Sequence, residues 1–366
     1  MYPDDKAHPS RGANAGAACG APITLEALGW NPFFAQQTNV EAISDTPTVR
    51  VVAVHRSGLR VLGVGIDELI PPRADVTVGD WLLLDRARPR ASRMLSRTSL
   101  VKRRAPGTDR QVQLIAANID TAFVVTSCNQ DFNQARLERY VALAFEAEIA
   151  PVIVLTKADL VTDVQTWIDA AQAISDRIPV VTLDARGDEP TAALSSWCRP
   201  GRTVAFVGSS GVGKSTLANA LIGVLNGADA IATQSIREDD ARGRHTTTHR
   251  ELHPTPGGCL VLDTPGMREL QLTDASAGIA DTFEDIQALS AQCRFGDCGH
   301  EREPGCAVRD AIDNGRLDPA RLHRWRKLLA EDAFNSASLA ERRAKERAFG
   351  KMVRRVTKES KPRRQH

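Results

Sequence analysis

Hydrophobic positions along the chain fall into two textures. From Val49 they form short runs broken by turn residues: "VRVVAVHRSGLRVLG" reads as two strands joined at Ser57-Gly58, with further strands in "VTVGDWLLLDR" and "RQVQLIAAN". Short strands with turn signals over roughly 70 residues predict a small β-barrel or a small sandwich, which periodicity does not separate. From about Ile119 the runs become fully apolar and rich in Val and Ile: "TAFVVTS", "PVIVLT", "IPVVTLD", "RTVAFVG" and "CLVLDTPG". Amphipathic stretches at 134–148 and 164–176 lie between them. Apolar strands alternating with helices predict a parallel sheet covered on both faces. After about residue 280 the strand signal stops, giving way to a Cys/His-rich segment and then charged helical sequence. Residues 1–40 are rich in Ala, Gly, Pro and Asn without periodicity, and are expected to be disordered. No internal repeat is found.

With 366 residues, the chain has room for two or three domains. Hydrophobic residues at 42% and charged residues at 25% describe an ordinary globular protein. The N-terminal sequence lacks the apolar stretch of a signal peptide, and no run approaches the ~18 apolar residues of a membrane span. A cytoplasmic protein with no membrane contact is therefore expected. The net charge of +2 is unevenly spread. Residues 341–366 hold 11 of the 47 Lys/Arg and 3 of the 45 Asp/Glu, a local net of +8 that leaves −6 for the rest. A second basic stretch, Arg86 to Arg104, has 8 Lys/Arg and no acid. Each alone reads as a solvated face or tail; two in one chain suit contact with a polyanion better.

The run "GSSGVGKST" stands after the strand "TVAFV" and opens the helical "STLANALIG". That context, with the G-x-x-x-x-G-K-[ST] spacing, is a phosphate-binding loop. Backbone N–H groups from Gly208, Ser209, Ser210, Gly211, Val212 and Gly213 curl round a β-phosphate, aided by the helix N-terminus. Lys214 reaches the β- and γ-phosphates, the Ser215 hydroxyl takes Mg²⁺, and Thr216 completes the loop. About 50 residues on, "VLDTPG" places Asp263 at the end of an apolar strand, the position of a Mg²⁺-water ligand, and the Gly266 N–H where it senses a γ-phosphate. Between them, "ARGRHTTTHR" has the look of a switch loop. Thr246, Thr247 and Thr248 each offer a hydroxyl and a carbonyl for Mg²⁺, and no spacing chooses among them; Thr247 is the candidate carried forward. His245 is a candidate to position water, against the plainer reading of an exposed histidine.

Upstream, the strand "PVIVL" runs directly into Thr156, Lys157, Ala158 and Asp159. Guanine offers N1–H and a 2-amino group as adjacent donors, a pair one carboxylate accepts; adenine has no such pair. Asp159 supplies that carboxylate, the Lys157 stem lies along the base, and the loop "TLDAR" brings the Ala185 N–H toward guanine O6. The position also suits ligand binding at the carboxyl ends of such strands. The order is then base reader, phosphate loop, switch loops. A circular permutation allows this, because domain termini often lie close together at the surface. It also makes the γ-phosphate-sensing strand lead straight into the C-terminal segment, so a shift at Gly266 would be felt there first.

These motifs in this order resemble the circularly permuted GTPases, and among them the ribosome small-subunit-dependent RsgA/YjeQ family. The resemblance covers about residues 45–315 and rests on "VGDW", "IAANID", "TKAD", "GSSGVGKST", "GRHTTT", "DTPGMREL" and a Cys/His cluster. It implies an oligonucleotide-binding (OB) barrel, a GTP hydrolase acting late in small-subunit (30S) maturation, and rRNA contact by the basic stretches. Thr156 stands where base-reading loops usually carry Asn. Met267 stands where many GTPases have a water-positioning Gln, and a thioether cannot orient water, so intrinsic hydrolysis is expected to be slow. The competing readings are an ATPase and a GTP-dependent RNA-binding protein without turnover.

The cluster "CRFGDCGHEREPGC" holds three of the seven cysteines. Cys293, Cys298, His300 and Cys306 have the spacing of a closed tetrahedral Zn²⁺ site with no open position, hence a structural ion. The expected organisation is a disordered extension (1–40), an OB-like barrel (41–112), a circularly permuted α/β P-loop GTPase domain (113–280), a zinc-binding helical module (281–340) and a basic tail (341–366). One Zn²⁺, Mg²⁺ with GTP, and a monomer are expected.

Overall fold

The structure, a computed structural model, describes residues 23–38, 46–104, 112–186, 189–223, 250–263 and 272–336, with Arg104 and Asp263 by backbone alone. A short helix α1 (Pro32–Ala35) precedes seven strands: β1 (Thr48–Val54), β2 (Leu59–Gly63), β3 (Ile66–Ile70), β4 (Trp81–Leu83), β5 (Arg93–Met94), β6 (Leu100–Arg104) and β7 (Val112–Ala117). β2 pairs antiparallel with β1 and β3, β4 joins β1 and β5, and β6–β7 form a separate hairpin. Alternate residues of β1 and β2, Val49, Val51, Leu59 and Val61, meet Ile66, Val76, Leu82 and Leu84 in the core of the OB-like barrel.

Residues 23–38 are ordered, against the expected disorder through residue 40. Trp30 and Phe34 lie 4.9 and 5.7 Å from the buried Trp81 ring, and Leu28 packs with them. These three large apolar side chains overcome a composition that, averaged over 40 residues, looks structureless. Behind Trp81 the buried Arg50 guanidinium donates to the carbonyls of Leu28, Gly79 and Asn118, tying this segment to the barrel and to the junction with the next domain. Its burial lowers the pKa to about 10, so it stays charged.

The central domain runs β8 (Thr121–Ser127), α2 (Gln134–Glu146), β9 (Ala150–Thr156), α3 (Gln165–Gln172), β10 (Val180–Thr182), α4 (Glu189–Ala193), β11 (Thr203–Gly208), α5 (Lys214–Ile222), β12 (Arg250–Pro254) and β13 (Leu260–Asp263). Its sheet has the order β10-β9-β8-β11-β13-β12, parallel except for β12. Strand alternation sends Val124, Ile153 and Leu155 to α2 and α3 on one face, and Phe123, Val125, Val152 and Val154 to α5 on the other. β1 extends this sheet beyond β12 through the pairs Ala53–Glu251 and Val54–Arg250, so barrel and central sheet are continuous.

Helices α6 (Ser276–Thr282), α7 (Glu284–Ser290), α8 (Ala307–Asp313) and α9 (Pro319–Ser336) build a third unit. Its core already includes Leu272, Ala275 and Ile279, so it begins before the expected boundary at residue 281. Ala142 of α2 belongs to the same core, and a Cβ on Gly278 would stand 2.0 Å from the Ala142 carbonyl oxygen, which explains the glycine. Beside this contact the fully buried Glu138 of α2 accepts from Arg324 (2.9 and 3.0 Å) and Arg321 (3.3 Å) of α9. Burial pushes the Glu138 carboxyl upward and its two arginines pull it down, with burial the larger effect. Arg321 also holds Asp285 and the carbonyls of Ile174 and Thr282. Removing one member of a buried cluster leaves charge without compensation. Glu138→Ala is therefore expected to cost about 3 kcal/mol, read as a lower midpoint in urea unfolding, with Glu138→Gln intermediate. Among the described residues, no helix is long and apolar enough to cross a membrane.

Candidate functional site

The phosphate loop closes the carboxyl end of β11, at the centre of the sheet. Gly208 has φ +142°, and a Cβ there would lie 2.2 Å from the Val125 carbonyl oxygen on β8, so only glycine lets the loop leave the strand at this point. Gly213 caps α5 in the left-handed region (φ +98°) and turns the chain into the helix. Val212 is buried between them while Ser209 and Ser210 lie toward solvent. Lys214, the first residue of α5, is buried, and its ammonium folds back onto the Ser209 carbonyl. Ser215 and Thr216 follow, half-buried, in the first turn of the helix. The loop thus brings backbone donors, a helix N-terminus and one ammonium together in a few residues, an arrangement suited to phosphate.

The candidate base-reading loop stands two strands away, at the end of β9. Thr156 is fully buried, and its hydroxyl lies 2.7 Å from the Val212 carbonyl oxygen and 3.1 Å from that of Thr126. A hydroxyl at the position usual for Asn therefore tethers the phosphate loop to the base loop. Lys157 takes a left-handed conformation (φ +58°), which directs the next turn, Ala158–Leu160, outward and leaves Asp159 at the rim. The Asp159 carboxylate accepts from Arg186 Nη2 at 2.7 Å. Ala185 is buried beside Gly213, so the loop after β10 abuts both others. The three loops meet through the Thr156–Val212 and Ala185–Gly213 contacts. Two contacts the sequence does not reveal are Arg186–Asp159 and that of Arg136 Nη1 with Ser209 Oγ (2.6 Å), which brings α2 to the phosphate loop. Arg186 carries a partial signal, following Ala185 in the loop already singled out; Arg136 carries none.

Of the switch residues, His245, Thr246, Thr247, Thr248, Gly266 and Met267 lie outside the described residues, as does the Asp263 side chain. The backbone places Asp263 at the end of β13, next to β11.

The Cys/His cluster lies between α7 and α8. One donor atom each from Cys293, Cys298, His300 and Cys306 falls within 4.8 Å of the others. Cys293 Sγ and Cys306 Sγ are 3.6 and 3.5 Å from His300 Nδ1, and 4.0 Å from each other. A tetrahedral ion with the usual Zn–S and Zn–N lengths sets edges of about 3.8 Å between sulfurs and about 3.6 Å from sulfur to nitrogen. The cage therefore fits a metal of this kind. His300 Nε2 is 3.2 Å from Ser290 Oγ, which leaves Nδ1 as the ligating nitrogen. Glu303 accepts from the N–H groups of Gly299, Glu301 and Arg302, bracing the turn around the cage; its own N–H, followed by those of Glu301 and Gly299, holds its pKa at about 2.

The basic stretch 86–104 is not a uniform free face. The Arg97 guanidinium holds the fully buried Asp80 at 2.7 Å, Arg86 pairs with Glu68, and Arg93 donates to the Gln37 carbonyl.

A family model described as RsgA GTPase matches residues 94–273. A relative in Vibrio parahaemolyticus, small ribosomal subunit biogenesis GTPase RsgA 2, is 48% identical over 347 residues, covering 93% of this chain and 95% of that protein. The chain belongs to the RsgA GTPase family. The Mesorhizobium japonicum member, small ribosomal subunit biogenesis GTPase RsgA, is 48% identical over 319 residues, with 86% and 91% of the two chains covered. Two solved structures share the fold. YjeQ from Thermotoga maritima has a TM-score of 0.56 at 24% identity and covers 78% of this chain and 97% of its own. YloQ, described as a circularly permuted GTPase, has a TM-score of 0.56 at 23% identity, with 80% and 96% covered. The sheet order agrees with that permutation, because β9, which carries the candidate base reader, precedes the phosphate-loop strand β11 in sequence yet occupies the same sheet. As an RsgA GTPase the chain is a GTP hydrolase.

Proposed function

We propose that the chain binds GTP across the phosphate and base-reading loops and hydrolyses it when engaged with the small (30S) ribosomal subunit, during that subunit's maturation. The observation that carries this reading is the tether from Thr156 to the Val212 carbonyl, which holds a carboxylate base reader and a phosphate loop together at the carboxyl end of one sheet. The names of the relatives, small ribosomal subunit biogenesis GTPases, supply the partner.

In this reading Gly208 to Thr216 cradle the β-phosphate, Lys214 offsets charge on the β- and γ-oxygens, and Asp159 accepts from guanine N1–H and the 2-amino group. Water attacks the γ-phosphorus while the bond to the β–γ bridging oxygen breaks, giving GDP and phosphate. Ser215, Asp263 and Thr247 are suited to hold Mg²⁺, which would neutralise phosphate charge when bound. Gly266 senses the γ-phosphate. With Met267 in place of a glutamine, water positioning falls to His245 or to the ribosome, and turnover of the free protein is slow. Cys293, Cys298, His300 and Cys306 hold one structural Zn²⁺. The protein acts as a cytoplasmic monomer, and the basic segments not occupied internally, with the tail 341–366, contact rRNA phosphates through salt-sensitive, largely sequence-blind interactions.

GTP turnover is to be measured against separate titrations of small and large subunits. Stimulation by the small subunit alone is the expected result; equal response to both, or none, rejects the partner. Asp159→Asn is expected to weaken guanine nucleotides about 10- to 100-fold, the loss of a charged hydrogen bond, and to improve xanthine nucleotides, whose 2-carbonyl meets the new N–H. Competition binding with GDP, XDP and ADP checks this, and effective displacement of GDP by ADP from the unaltered protein would reject the base assignment.

A further inference from the structure

We propose that Arg186 is an intramolecular competitor for the guanine site, setting how readily the empty protein takes up its nucleotide. This rests on the assignment of Asp159 as the base reader. The edge that guanine presents to a carboxylate is an amidine, with N1–H and a 2-amino N–H side by side in one plane. A guanidinium presents the same coplanar pair of donors. Arg186 offers one such donor, Nη2, to Asp159 Oδ2 at 2.7 Å, so one oxygen of the carboxylate that guanine must take is already engaged by a group that resembles guanine's donor edge.

The local structure makes the contact exchangeable. Arg186 is anchored a second time, through Nε to Asp184 Oδ1 at 3.1 Å, while the Arg186 N–H also reaches that oxygen at 3.0 Å. Asp184 is itself placed by its own N–H donating to Glu189 Oε2 at 3.1 Å. On leaving Asp159 the guanidinium keeps Asp184 as a partner, so release does not strand a charge. The side chains are 68% and 31% exposed, a pair of the solvated kind whose net strength is small. The competition is accordingly light: the arginine holds part of the empty population closed and yields to any ligand offering two donors plus phosphates. A site that is only fractionally open binds with an affinity reduced by that fraction. For an exposed ion pair this amounts to about two- to sixfold. The reduction falls on association, because once guanine occupies Asp159 the arginine has left it.

The test uses the full chain and a GDP carrying a fluorescent group on the ribose, with association and dissociation rates measured by stopped flow. Arg186→Ala is expected to raise the association rate two- to sixfold and leave dissociation unchanged. In an Asp159→Asn background the same substitution is expected to change neither rate, because the contact it removes has already lost its charge. Unchanged or slower association, or faster dissociation, for Arg186→Ala overturns the competitor role; faster dissociation would make Arg186 a base-holding residue instead. Failure of the underlying assignment shows separately, as an Asp159→Asn protein that keeps its full preference for GDP over XDP.

Discussion

Lys214→Ala is expected to lower GTP turnover by about 10²- to 10³-fold, the scale on which removing one preorganised charge donor acts. The ammonium is buried at the first position of α5 and folded onto the Ser209 carbonyl, so it already sits inside the loop before any nucleotide arrives. Its positive charge serves ground-state and transition-state phosphates unequally, because charge on the γ-oxygens and the bridging oxygen shifts as the bond breaks. The backbone N–H groups between Gly208 and Gly213 remain in the variant, so GDP binding falls less than hydrolysis does. Lys214→Arg does not rescue: a planar fork needs a different space from a point charge on a flexible stem. Single-turnover hydrolysis with saturating small subunits, beside GDP affinity, separates the two effects. A turnover near that of the unaltered protein would remove the phosphate-loop assignment.

What the sequence made legible and what it concealed follow from how local each feature is. β8, β9 and β11 are buried on both faces of the sheet, so they read as unbroken apolar runs and were placed within a few residues. β12 was not visible: "RELHP" is the one antiparallel strand of the central sheet, with one neighbour in the barrel, and Leu252 is its one apolar core residue. The same holds for β3, where Asp67 is exposed between the buried ends. The candidate phosphate loop, the candidate base reader and the Cys₃His spacing are short-range patterns whose chemistry needs fixed residue types, so each is legible in the sequence; the first two touch through Thr156 and Val212, and the four Cys/His donors lie within 4.8 Å of one another. The Thr156–Val212 hydrogen bond spans 56 residues, and Arg136–Ser209 spans 73, so no local pattern announces either. Arg97 shows the opposite error, since a count of basic residues cannot tell a guanidinium committed to buried Asp80 from one free to meet a polyanion. The early part of the chain misled for a related reason: Trp30 and Phe34 are ordered by Trp81, some 50 residues downstream.

Cys306→Ser is expected to reduce bound zinc from one equivalent to near none and to loosen the C-terminal helices, with a larger stability loss than any other substitution considered. Structural zinc contributes on the order of 10–16 kcal/mol in peptides that fold around it. Here part of that is independent of the ion, because Phe283, Ile286, Val308, Leu322 and Trp325 form an apolar core beside the cage. Cys306 is, with His300, one of the two candidate ligands buried against that core, whereas Cys298 is partly exposed, so Cys298→Ser is expected to release the metal with a smaller fall in melting temperature. The loss should not stop at the module. Once α9 moves away, Glu138 of α2 loses both of its arginines and the packing of α2 against this module is loosened, and α2 is the helix whose Arg136 touches the phosphate loop. Metal removal should therefore abolish small-subunit binding first and weaken GDP binding second, by a modest factor rather than completely. Metal content, melting temperature, subunit co-sedimentation and GDP affinity on the same preparations check the order. A Cys306→Ser protein that retains one zinc and full subunit binding would refute the cage, and one that loses GDP binding before subunit binding would refute the route through α2.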